Sequence, residues 1–150
     1  MTTQATVSVT IQAAPDVVWP WVADITRHAE WSPKPYRVEL VSGEPNAVGT
    51  RYRSVGWVPP NDGNHVNDVV ITEVVPVSRF ALDARDDSGT YVNTFDLRPV
   101  ADGTEVTFHI VFPPMKGLSA VMVPLLFPIV AKPDFRKRLS LLKQKVESPS

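Results

Sequence analysis

Cysteine is missing from this 150-residue chain. Disulfides, thiol nucleophiles and zinc sites built on thiolate are therefore excluded. A cysteine-free chain suits a reducing compartment, and a cytoplasmic location is the expectation. An excess of one charge is missing too. Fifteen Lys and Arg balance sixteen Asp and Glu, a formal net charge of -1. Nucleic acid is thus not an expected partner, because a general binder of it carries a basic surplus. A membrane span is also lacking. The longest apolar-rich run, residues 117–131, is interrupted by Pro124 and Pro128 and falls short of the roughly 20 residues a span needs. The start of the chain, Met1 to Gln12, is polar and alternating, unlike a signal or transit peptide. No Walker loop, no glycine-rich dinucleotide fingerprint and no nucleophile elbow occurs. The three histidines, His28, His65 and His109, show neither a His-x-His nor a His-x-x-x-His spacing. No metal and no other cofactor is expected.

What the chain does have is the composition of a globular domain, with 43% hydrophobic and 21% charged residues, which rules against disorder. The length favours one domain over residues 1–150. Proline is plentiful, 15 residues, about double the ordinary share. The prolines are scattered, so they punctuate elements and form no linker. Charge is unevenly placed: residues 132–150 carry six Lys or Arg against Asp134 and Glu147.

Val7, Val9 and Ile11 alternate with polar neighbours over Thr6–Gln12, the mark of a half-buried strand. Pro15 and Asp16 suit the first turn of a helix. Val18, Trp19, Val22 and Ile25 follow at helical spacing, while Pro20 predicts a kink. A short second helix is expected over Thr26–Trp31, stopped by Pro33 and Pro35. Six strands follow: Tyr36–Val41, Thr50–Val58, Val66–Val75, Arg79–Arg85, Thr90–Arg98 and Thr104–Phe112. Turn clusters separate them, among them Pro59 to Asn64, Asp86 to Gly89 and Ala101 to Gly103. The tail from Met115 to Glu147 reads as helix in pieces, with Phe135, Leu139, Leu142 and Val146 forming one stripe. One strand, two helices, six strands and a long helix make an α+β architecture.

The segments Ile11 to Trp19, Asp24-Ile25, Trp31-Ser32-Pro33, Val48 to Tyr52, Glu73 to Pro76 and Gly103 to Thr107 occur in the order found in one superfamily. With the C-terminal helix, they make the chain resemble the SRPBCC or START-like superfamily, and within it the polyketide cyclase/dehydrase-like proteins. The resemblance covers roughly residues 5–147. It implies the helix-grip fold: a curved, seven-stranded antiparallel sheet wrapped around a long C-terminal helix, with two short helices between the first and second strands. It also implies a cavity between sheet and helix that takes lipids, sterols, polyketides or other apolar molecules. It does not specify a reaction.

Strand alternation then assigns side chains to that cavity. Tyr52, Ser54, Phe80, Leu82, Tyr91, Asn93, Phe95, Phe108 and Ile110 are expected to line it. Tyr52, Ser54, Tyr91 and Asn93 supply its few polar atoms, as small-molecule sites require. Trp57, beside Pro59 and Pro60, either gates the cavity or anchors its loop. Residues 118–130 are apolar nearly all round, and Met122 and Leu126 are expected to face the ligand. The far side of that segment packs on loops, meets a second chain or touches a membrane surface, the last with Lys132 and Arg136 to Arg138; the prolines weigh against the membrane. The strand Val66–Val75 is apolar on both faces, so periodicity does not orient Glu73. Facing inward it is a candidate acid or base with a raised pKa; facing outward it is a solvated carboxylate, the commoner case for a lone strand Glu.

Three functional readings follow. The leading one is binding or carriage of a small hydrophobic ligand without a cofactor. The second is a cyclase or dehydratase using Glu73, Tyr52, Tyr91 or His65 as acid or base. The third is an interaction module with a vestigial cavity.

Overall fold

A computed structural model describes residues 3–56, 65–114, 117, 121–122 and 132–148. Seven antiparallel strands form one sheet: β1 (Gln4–Ile11), β2 (Tyr36–Ser42), β3 (Arg51–Gly56), β4 (His65–Val75), β5 (Arg79–Asp86), β6 (Gly89–Val100) and β7 (Gly103–Val111). Helix α1 (Pro15–Ala23) and a 3-10 helix (Ile25–Trp31) connect β1 to β2. Helix α2 (Lys132–Glu147) closes the chain. The sheet order is β1-β7-β6-β5-β4-β3-β2, so the first and last strands pair and β2 forms the far edge. This is the helix-grip arrangement, a curved sheet holding the C-terminal helix.

The core occupies the concave side. Ile11, Val18, Val22, Trp31, Phe80, Phe95, Phe108, Leu139 and Leu142 are all but solvent-free there. The stripe on α2 does what its spacing predicts: Leu139 and Leu142 are fully buried, and Phe135 and Val146 pack against the core. The helix is pinned to β1 at its end. Glu147 Oε2 accepts from the Gln12 amide at 2.8 Å, and Lys143 Nζ donates to the Thr10 carbonyl at 2.9 Å.

Local chemistry explains where the elements begin and bend. Pro15 opens α1, and Asp24 caps the 3-10 helix by accepting from the Thr26 amide at 3.1 Å. The kink expected at Pro20 does not break α1, which runs through it to Ala23. Pro20 and Asp16 both lie on the exposed side, where water can serve the carbonyl that a proline leaves unpaired. Gly103 has φ +145, and a Cβ there would lie 2.1 Å from the Ile11 carbonyl oxygen. Only glycine lets the β6–β7 turn approach the end of β1 that closely.

The ambiguity of β4 has a structural cause. Its register with β5 shifts between Ile71 and Glu73. Val69 and Ile71 point inward before this bulge, Val74 packs on the core after it, and Glu73 is exposed. One inserted residue changes the phase midway along the strand, so no single alternation describes it.

Candidate functional site

The concave side is not completely filled. A cavity of about 490 Å³ lies between the sheet, the 3-10 helix and α2. Its sheet wall follows from register. Val38 pairs with Ser54, and Ser54 with Asn67. Val69 pairs with Ala84, which pairs with Tyr91; Leu82 pairs with Asn93, which pairs with Ile110. All of these line the cavity. The opposite wall comes from Ile25 and His28, the segment Ser32 to Tyr36, and Asp134, Phe135 and Arg138 of α2.

Of the residues assigned from the sequence, Ser54, Leu82, Tyr91, Asn93 and Ile110 stand on the lining. Tyr52 is buried at 2% exposure but lies off it. Its hydroxyl accepts from the Asn46 amide at 2.8 Å and donates to Asn46 Oδ1 at 3.3 Å. The same Oδ1 accepts from the Ile25 amide at 3.1 Å, so Tyr52 fastens the β2–β3 turn to the 3-10 helix. Phe80, Phe95 and Phe108 lie one rung deeper and fill the interior. Phe95 and Phe108 stack with centroids 4.8 Å apart, which ends the cavity on that side. Met122 is exposed and off the lining. Trp57 and Leu126 lie outside the described residues. Glu73 faces solvent, with Oε1 3.5 Å from Arg79 Nη1.

Two polar groups that strand alternation does not find flank the apolar lining. The first is built around Arg138. Its guanidinium carbon lies 4.7 Å from the centre of the Trp31 ring and 5.5 Å from those of Phe95 and Phe108. Its Nη2 donates to Nδ1 of His28 at 3.4 Å, while Nε2–H of His28 donates to the Val22 carbonyl at 2.7 Å. Burial, then the charge of Arg138, lowers the pKa of His28 to about 3, against the hydrogen bond to Val22 and the charge of Asp24. The imidazole is therefore neutral. Burial raises the pKa of Tyr36, with the charge of Arg138 and a hydrogen bond from it opposing. The helical spacing Phe135, Arg138, Leu139, Leu142 is the sequence signal for this inward arginine.

The second group lies at the strand ends. His65 Nε2 donates to Asp86 Oδ2 at 3.0 Å, and both side chains are largely buried. Tyr91 is their neighbour, its pKa raised first by burial and further by the charge of Asp86, with a hydrogen bond to Ser88 opposing. Asp86 reads in the sequence as a turn residue, yet it is the last residue of β5. Among the described residues, no group of three or more His, Asp or Glu is arranged to hold a metal ion. Nor is any described helix long and apolar enough to cross a membrane.

A family model described as polyketide cyclase/dehydrase and lipid transport matches residues 2–147. No curated protein sequence matches the chain. Among solved structures, protein CV1439 from Chromobacterium violaceum superposes with a TM-score of 0.74 at 20% identity, covering 97% of this chain and 99% of that one. TTHA0849 from Thermus thermophilus gives 0.74 at 16%, with 96% and 97% covered. The di-domain ARO/CYC BexL from the BE-7585A biosynthetic pathway gives 0.75 at 16%, covering 99% of this chain and 51% of that one. At these identities the superpositions establish the fold.

Proposed function

The chain belongs to the polyketide cyclase/dehydrase and lipid transport family, and on that premise we propose that it binds a small hydrophobic molecule, lipid-, sterol- or polyketide-like, in the cavity between sheet and α2. The observation that carries this reading is the cavity itself. Its 490 Å³ falls within the range of small-molecule sites, and its walls present mainly apolar surface interspersed with polar side chains. A vestigial, filled interior, as the interaction-module reading requires, fits that volume poorly. The lack of cysteine supports a cytoplasmic setting.

The test is a fluorescence titration with 1-aminoanthracene, an uncharged hydrophobe. Wild-type protein should bind it saturably at one site. Ala84→Phe places a ring in the cavity from the middle of its sheet wall and should abolish binding while the far-ultraviolet circular dichroism stays unchanged. Non-saturable binding, or equal binding by the variant, refutes the reading.

One observation favours a second reading, the cyclase or dehydratase. His65 and Asp86 form a carboxylate-oriented imidazole on the cavity wall, an arrangement able to take and return a proton. Under that reading Glu73 has no part, because it faces solvent. Asp86→Asn would abolish turnover of a cyclisable substrate while leaving its binding intact.

A further inference from the structure

The Arg138 end of the cavity holds a cation with no counter-ion among the described residues. None of the ion pairs among the described residues includes Arg138. The acid one turn away on α2, Asp134, is paired instead with Lys34 at 3.3 Å. Outside the described residues the sequence offers one acid only, Asp62. The acceptors that reach the guanidinium are neutral: the Nδ1 of His28 and the hydroxyl of Tyr36. A guanidinium carries five N–H donors in a planar fork. These two acceptors leave donors unmatched. An unpaired cation on an apolar wall is costly unless a partner arrives.

We infer that the ligand is a hydrophobic acid, and that its carboxylate pairs with Arg138 while its apolar body runs along Leu82, Ala84, Ile110 and Phe112. This inference rests on the ligand-binding reading above and names its substrate class. The fork geometry suits a carboxylate, which accepts two parallel N–H bonds. The site is pre-organised for it. The rings of Trp31, Phe95 and Phe108 pack around the guanidinium, and His28 accepts from one of its nitrogens. His28 is also uncharged, with its tautomer set by the bond to Val22, so it adds no second cation beside Arg138. The two carboxylates already on the lining are both engaged: Asp86 is tied to His65 at the strand ends, and Asp134 is paired with Lys34. Low polarity around the pair strengthens its attraction relative to water.

The experiment compares acids with their alcohols by isothermal titration: dodecanoic acid against dodecanol, and 2-naphthoic acid against 2-naphthalenemethanol. Wild-type protein should prefer at least one acid over its alcohol by about tenfold or more. The pair showing the larger preference tells an aliphatic from an aromatic ligand. Arg138→Gln should erase that preference by weakening the acid and leaving the alcohol unchanged, and Arg138→Lys should retain part of it. Should the glutamine variant fail to fold, the acid-to-alcohol ratio on wild-type protein decides alone. Equal binding of acid and alcohol to wild-type protein overturns the inference and leaves hydrophobic binding standing. Binding of neither, together with failure of 1-aminoanthracene to bind, overturns the ligand-binding reading and the inference with it.

Discussion

Acid should destabilise this protein through one residue, His28. Its ring is 2% exposed, donates to the Val22 carbonyl at 2.7 Å, and sits 4.7 Å from Trp31 and 5.4 Å from Phe95 between ring centres. Protonating it would bury a second cation beside Arg138. Its pKa is accordingly lowered from 6.5 to about 3, with burial the larger cause. In the unfolded chain the ring takes a proton near 6.5, while the folded chain refuses it until about 3. The unfolded state thus binds more protons throughout that window, and stability falls as pH falls through it. The slope is about 1.4 kcal/mol per pH unit. Moving from pH 7.5 to pH 5 therefore costs about 2 kcal/mol from this group. That equals roughly 4–8 °C in Tm for a domain of this size. Urea unfolding followed by tryptophan fluorescence at the two pH values measures it. His28→Gln keeps an N–H for Val22 but cannot titrate. The variant should be less stable than wild type at pH 7.5 yet lose about 2 kcal/mol less on acidification. His65 and His109 are present in both proteins, so the difference isolates His28. Equal acid sensitivity in the two proteins refutes the reasoning.

Tyr52→Phe removes a hydroxyl that holds Asn46 but does not line the cavity. It should cost about 1 kcal/mol in chemical denaturation and leave the affinity for 1-aminoanthracene unchanged; weakened affinity would give Tyr52 a direct part in binding. Gly103→Ala forces a Cβ toward the Ile11 carbonyl oxygen at a φ of +145. It should destabilise by about 1–3 kcal/mol in the same assay, and a neutral result would mean that the β6–β7 turn relaxes freely.

Strand alternation made most of the sheet legible. Val7, Phe108, Phe95 and Phe80 lie across one row of the register, each on the inward phase of its strand. Alternation says which face a residue is on, but not how far along the strand the cavity begins. Phe95 and Phe108 share a face with Tyr91 and Ile110, yet the first two lie wholly in the core and the other two reach the lining. What separates them is packing from other elements: Trp31, His28 and α2 fill the space over the deeper rung. The same limit applies to Tyr52, which faces inward but is tied up by a turn residue six positions earlier. Glu73 escaped because a bulge resets the phase of β4.

The polar ends of the cavity were hidden for a different reason. Each is assembled from groups far apart in sequence, and each contains a residue whose local context suggests something ordinary. Arg138 lies in a basic run, yet its position three residues after Phe135 and four before Leu142 places it on the buried stripe of α2. Its neighbours Arg136 and Lys137 are exposed. A cation set into an apolar stripe needs an aromatic surface and an anion. The first is supplied by Trp31, Phe95 and Phe108, and no ion pair among the described residues supplies the second. The asymmetry of the cavity follows from where the two walls get their charge. The sheet contributes a carboxylate and an imidazole that satisfy each other, whereas α2 contributes an aspartate paired with Lys34 and an arginine with no ion-pair partner among the described residues.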